Sequence, residues 1–199
     1  DEVLIDRSVP WYSRLLLDPP HLSSVGARRH PTTMGAIIAS AIRAELSDER
    51  QEGAVDCCVI NGGPIKGERD YPSATVSYAE LAAELPFPTK MVAVPMRGET
   101  LARAIFVSRT VGAEERGYLQ LCDRLETDED DPRRLLSVGG EDVDPDRVYT
   151  VALPRNLMRG FCKIQPLVDL GGELREVLDG DSYVPALNLV IAYFAKDLW

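Results

Sequence analysis

The sequence predicts an α+β fold, a mixed β-sheet packed with helices, and three observations lead to it. Met34, Ile37, Ile38, Ala41, Ile42 and Leu46 recur at i, i+3, i+4, i+7 spacing, the period of a helix with one apolar face. The apolar run 54–60 and the alternating run 90–96 read as strands. Helical and extended segments then follow one another without the strict rhythm of a parallel βαβ sheet.

Taken in order, residues 1–21 read as an N-terminal arm or linker, and 22–199 as the domain. The arm carries a short apolar stretch, Trp11 to Leu17, ended by Pro19 and Pro20. Thr32 or Thr33 caps the first helix. The strand at 54–60 leaves through the turn Asn61-Gly62-Gly63-Pro64. Ser77-Tyr78-Ala79-Glu80 is a capping box that starts a short helix through Leu85, and Pro86 stops it. Lys90–Met96 is a strand, Gly98–Thr110 a helix with Leu101, Ile105 and Ser108 on one face, and Tyr118–Asp123 a further strand. The acidic run Glu126 to Asp131 reads as a solvated loop, because adjacent like charges favour hydration. Gly139-Gly140 predicts a hairpin or close pair between 134–138 and 147–153. The last helix, 184–198, is expected to turn Leu187, Ile191 and Phe194 to the core.

The 199 residues suit one domain, and 45% hydrophobic with 27% charged residues is the composition of a globular protein. A formal net charge of −10 argues against binding a nucleic-acid polymer, yet leaves room for a small anion at a local basic cluster. No stretch approaches the roughly 20 apolar residues of a membrane span. Cys57, Cys58, Cys122 and Cys162 have neither C-x-x-C spacing nor a neighbouring His, so they read as buried reduced thiols with a lean toward a reducing, intracellular compartment.

Four stretches together resemble the C-terminal, substrate-binding domain of the 5′-nucleotidase metallophosphoesterases. Met34-Gly35-Ala36-Ile37-Ile38-Ala39-Ser40-Ala41-Ile42-Arg43 is similar to the family's M-G-N-L-I-A-D-A-L-R helix, and Ile60-Asn61-Gly62-Gly63-Pro64-Ile65-Lys66 to I-N-G-G-G-I-R. Leu85-Pro86-Phe87 matches the family's L-P-F, and Val148-Tyr149-Thr150-Val151-Ala152 its Y-x-V-A strand. The resemblance covers about residues 22–198 and implies a nucleoside- or nucleotide-recognition domain. Its partner would be an N-terminal domain that holds two divalent metals and performs the hydrolysis. The chain has only His21 and His30, and no D-x-H or G-N-H-E string, so no catalytic and no metal residue is expected in it.

The resemblance further implies nucleoside contacts at Asn61 and Phe87, beside Gly62 and Gly63 of the turn. Lys66 stands where the family has an Arg, keeping the charge but losing the planar fork. A second family Arg falls near Arg28, Arg29 or His30. The same residues admit plainer readings: a tight turn, a core aromatic and a solvated lysine. The family's G-G-D-G-Y/F stretch is here Gly160-Phe161-Cys162-Lys163-Ile164, so Ile164 replaces the second aromatic and Phe161 is its only nearby substitute. Ala36 and Ser40 replace the Asn and Asp of the first helix. These departures leave an alternative in which the fold survives as a non-catalytic scaffold or binding subunit.

Overall fold

The computed structural model describes residues 2–4, 22–49, 53–72, 75–110, 117–176 and 183–196. At its centre is a five-stranded sheet of order β12-β6-β11-β3-β7, made of Val184–Pro185, Lys90–Arg97, Val148–Pro154, Cys57–Asn61 and Leu119–Leu121. Only the β11–β3 contact is parallel; the other three pairs are antiparallel, so the sheet is mixed as predicted. All five residues of β3 are buried, which means both of its faces are covered and explains how Cys57 and Cys58, pointing to opposite sides, are both inside.

Helix α1 (Thr33–Glu49) lies against β3 and β7. Its six periodic apolar residues are all buried, and Thr32 Oγ1 accepts the Gly35 N–H at 3.0 Å, so Thr32 is the cap. Ser40, at the family's Asp position, is buried and its hydroxyl accepts the Asp123 N–H at 2.9 Å, still tying the helix to the loop after β7. Helix α2 (Tyr78–Glu84) has both bonds of its capping box and ends at Leu85. Helix α3 (Gly98–Ser108) packs on β6 and on α5 (Gln165–Glu173), which follows the short helix α4 (Arg155–Met158) and a 3₁₀ turn at Phe161–Lys163.

Small ladders complete the molecule. Glu2–Leu4 (β1) pairs antiparallel with Thr75–Ser77 (β5), and Leu22–Ser23 (β2) with Asp70–Tyr71 (β4). The arm's apolar stretch 11–17 lies outside the described residues.

Three expectations are corrected. The Gly139-Gly140 turn joins β9 (Leu135–Val138) to the two-residue β10 (Glu141–Asp142), not to 147–153. Both glycines lie at positive φ, +69° and +84°, a two-residue turn that brings the very next residues back along the strand, while β11 is taken into the central sheet. Of the acidic run, Glu126 belongs to β8 (Leu125–Thr127) and accepts the Ser137 hydroxyl at 2.9 Å; only 128–131 form a loop. Helix α6 (Ala186–Ala195) begins only after Val184 and Pro185, which pair with β6 instead. It buries Ala186, Leu189, Val190 and Phe194, with Leu187 and Ile191 only half-buried. This helix is apolar on almost every side, so periodicity could not orient it; docking on α1 did.

Candidate functional site

Strand β3 delivers Asn61 at its C-terminal end, and the chain then bends through Gly62-Gly63-Pro64 into an irregular segment up to Arg69. Residues 61–67 touch three other segments: the turn before α1, the end of α2 and the turn after α4.

The first contact is with the turn before α1. Gly62 packs on the backbone of Ala27 and Arg28 so closely that a Cβ would overlap the Ala27 carbonyl oxygen. Gly62→Ala is therefore expected to destabilise the chain by about 1–3 kcal/mol, since two backbone segments cannot yield as side chains do; a urea melt measures it. Arg28 is half-buried beside this turn, and its Nε is buried without a hydrogen-bond partner. Arg29 is exposed.

The second contact is with the end of α2. The Lys66 N–H donates to the Glu84 carbonyl oxygen at 2.9 Å, and the Gly67 N–H to the Glu84 Oε2 at 2.9 Å. Glu84 is fully buried, and its Oε1 accepts the Tyr71 hydroxyl at 2.5 Å. Burial, together with the bond to Glu84, raises the Tyr71 phenol well above its ordinary range. Three residues on, Phe87 is 54% exposed, and Lys66 Nζ lies 5.4 Å from its ring centroid, within cation–π reach. Glu84 thus clamps the segment that carries Lys66 to the helix that ends just before Phe87.

The third contact is with the turn after α4. Asn61 is 1% exposed, and its Nδ2 donates to Cys162 Sγ at 3.5 Å. Gly160, Cys162 and Lys163 all have positive φ, and this tight turn holds Cys162 inward while leaving Phe161 56% exposed. Ile164, at the family's aromatic position, is fully buried.

Of the sequence-predicted residues, Lys66 and Phe87 meet directly and are accessible. Gly62 and Arg28 meet through backbone, and Phe161 is brought to the Asn61 end of the same segment by its neighbour Cys162. The Asn61 amide is turned into the protein. Sequence reading missed Glu84 and Tyr71. The signal was present for the first: Leu81, Glu84 and Leu85 follow helical spacing, which puts a carboxylate on the apolar face of α2. Among the described residues no group of three or more His, Cys, Asp or Glu side chains is arranged to hold a metal ion, and no helix is long and apolar enough to cross a membrane. The side chains of the described residues do not fit a metal centre.

The sequence model of the family described as 5′-nucleotidase, C-terminal domain, matches residues 17–167. The chain is 27% identical to the human 5′-nucleotidase over 202 residues, covering 87% of the chain and 32% of that protein. The rat 5′-nucleotidase gives 27% over 192 residues with the same two coverages. Among solved structures, the fold matches a 5′-nucleotidase precursor from Thermus thermophilus with a TM-score of 0.63 at 15% identity, over 88% of the chain and 35% of that structure. It also matches the NAD nucleotidase of Haemophilus influenzae with a TM-score of 0.61 at 16% identity, over 89% of the chain and 34% of that structure. The chain spans about a third of the length of these proteins. The match of the family's sequence model over residues 17–167 places the chain in the 5′-nucleotidase C-terminal domain family.

Proposed function

We propose that the chain is the nucleoside- or nucleotide-recognition part of a metal-dependent phosphoesterase, whose two divalent metals and hydrolytic chemistry reside in an N-terminal partner domain. The observation that carries this reading is the Lys66–Phe87 pair: an exposed aromatic face with a cation 5.4 Å from its centroid, held by the buried Glu84. A purine stacks on such a face, and the ammonium meets ribose or phosphate oxygens. Arg28 supplies a second cation beside the turn, and Phe161 an aromatic on the Asn61 side. Asn61 acts here as a positioning residue, fixing the Cys162 turn from below.

Titration of the chain with adenosine and AMP tests the proposal. Phe87→Ala is expected to weaken binding by about 1–3 kcal/mol, roughly 5- to 150-fold. Lys66→Ala is expected to weaken AMP more than adenosine, because only AMP offers a phosphate to the ammonium. Binding that neither substitution alters would remove the pocket from this place. The competing reading, a scaffold that kept the fold, draws on the buried Ile164 and the inward Asn61; it is favoured if the unmodified chain binds neither ligand.

A further inference from the structure

A cavity of about 730 Å³ opens beside the Asn61-Gly62 turn, between the start of α1, the β7–β8 segment and the Gly139-Gly140 turn; the carbonyl oxygen of its lining residue Tyr118 accepts the Gly62 N–H at 2.9 Å. None of Arg28, Asn61, Lys66, Phe87 or Phe161 lines it. Its volume is in the range of small-molecule sites, and its walls mix apolar side chains with a few polar ones.

Most of those polar groups are already satisfied. Gln120 accepts the Thr32 N–H on Oε1 at 2.9 Å and donates from Nε2 to the Ala27 and His30 carbonyl oxygens, both at 2.7 Å. Asp123 forms an ion pair with Arg43 at 3.4 Å while its Oδ1 accepts no hydrogen bond among the described residues, and Glu126 accepts the Ser137 hydroxyl. Arg109 has no such ion pair among them. Its guanidinium lies 4.4 Å from the centroid of the Tyr118 ring, and one terminal nitrogen donates to Ser108 Oγ at 2.7 Å. Its Nε is buried with no hydrogen-bond partner. Arg124, also lining the cavity, is exposed, and among the described residues neither arginine has a carboxylate at ion-pair distance.

A half-buried guanidinium with one unsatisfied N–H and no carboxylate beside it is costly, and its cost falls when an anion meets it. Stacking on Tyr118 fixes the plane of the guanidinium, which spares an incoming oxyanion the ordering of a flexible side chain. We propose that this cavity binds a small organic anion, its phosphate or carboxylate held by Arg109 with Arg124 as a second cation and its apolar body against the surrounding walls. The site is too large for a bare oxyanion, which is why the ligand class carries a body.

The test uses the 199-residue chain with phenyl phosphate and, separately, benzoate as probes, read by isothermal titration calorimetry. At least one probe is expected to bind once per chain; which of the two binds more tightly tells phosphate from carboxylate. Arg109→Gln is expected to weaken that binding at least 10-fold and Arg124→Gln severalfold, with Lys66→Ala and Phe87→Ala leaving it unchanged. Should Arg109→Gln fail to fold, the exposed Arg124→Gln carries the comparison. No binding of either probe, wild-type binding in both arginine variants, or binding abolished by Lys66→Ala would each overturn the assignment.

Discussion

Raising the pH from 8 to 10 is expected to lower the stability of this chain by several kcal/mol. The cause is three thiols. Burial raises Cys57 and Cys58 well above the ordinary thiol range, with the neighbouring Cys122 adding to each, and burial pushes Cys122 up to about 11. In the unfolded chain the same thiols titrate near 8.5. Between those values the unfolded state has released its protons while the folded state still holds them. Stability contributed by the neutral thiols is therefore complete below about pH 8.5 and falls as pH rises, by about 1.4 kcal/mol per thiol per pH unit. Urea unfolding at pH 8, 9 and 10 under reducing conditions measures the slope. Cys58→Ala is expected to reduce it by about one proton, although it also removes a buried sulfur and lowers stability at pH 8. A midpoint that stays constant from pH 8 to 10 would mean that the thiols ionise inside the fold, contrary to their burial.

The second large effect is expected at Glu84. Glu84→Ala leaves the buried Tyr71 hydroxyl and the half-buried Gly67 N–H without acceptors. Each orphaned donor costs about 1–3 kcal/mol, and the vacated volume adds to it. A loss of about 3–5 kcal/mol, or roughly 6–20 °C in Tm, is expected. The consequence for the site is separable from the loss of stability. At a temperature where the variant is still folded, affinity for AMP should drop because Lys66 is no longer pinned opposite Phe87. Glu84→Gln keeps an acceptor for the backbone N–H and should recover part of both losses. Equal affinity in Glu84→Ala and the wild type would show that the clamp has no bearing on binding.

Much of the fold was legible because its signals are local. The helical spacing of six apolar residues in α1, the Ser77–Glu80 capping box and the alternation of β6 involve residues close in sequence, and each formed where expected. What failed was orientation and partnership. Nothing local in 134–154 could say that β11 would leave its sequence neighbour β9 and lie between β6 and β3, since strand pairing is settled by which edges the rest of the chain presents. Nor could an almost wholly apolar α6 announce its inward side.

The candidate site divides in the same way. The chain's residue order determined that a turn-forming segment with one lysine would leave a buried strand, and that an aromatic would follow a short helix stopped by proline. Tertiary structure alone decided that Lys66 faces Phe87, that the Asn61 amide turns to Cys162 and that Arg109 is left with an unspent donor above Tyr118. The physical reason is range. Backbone preference and apolar period act over a few residues, whereas the partner of a polar side chain is set by whatever distant segment packing brings within hydrogen-bond distance.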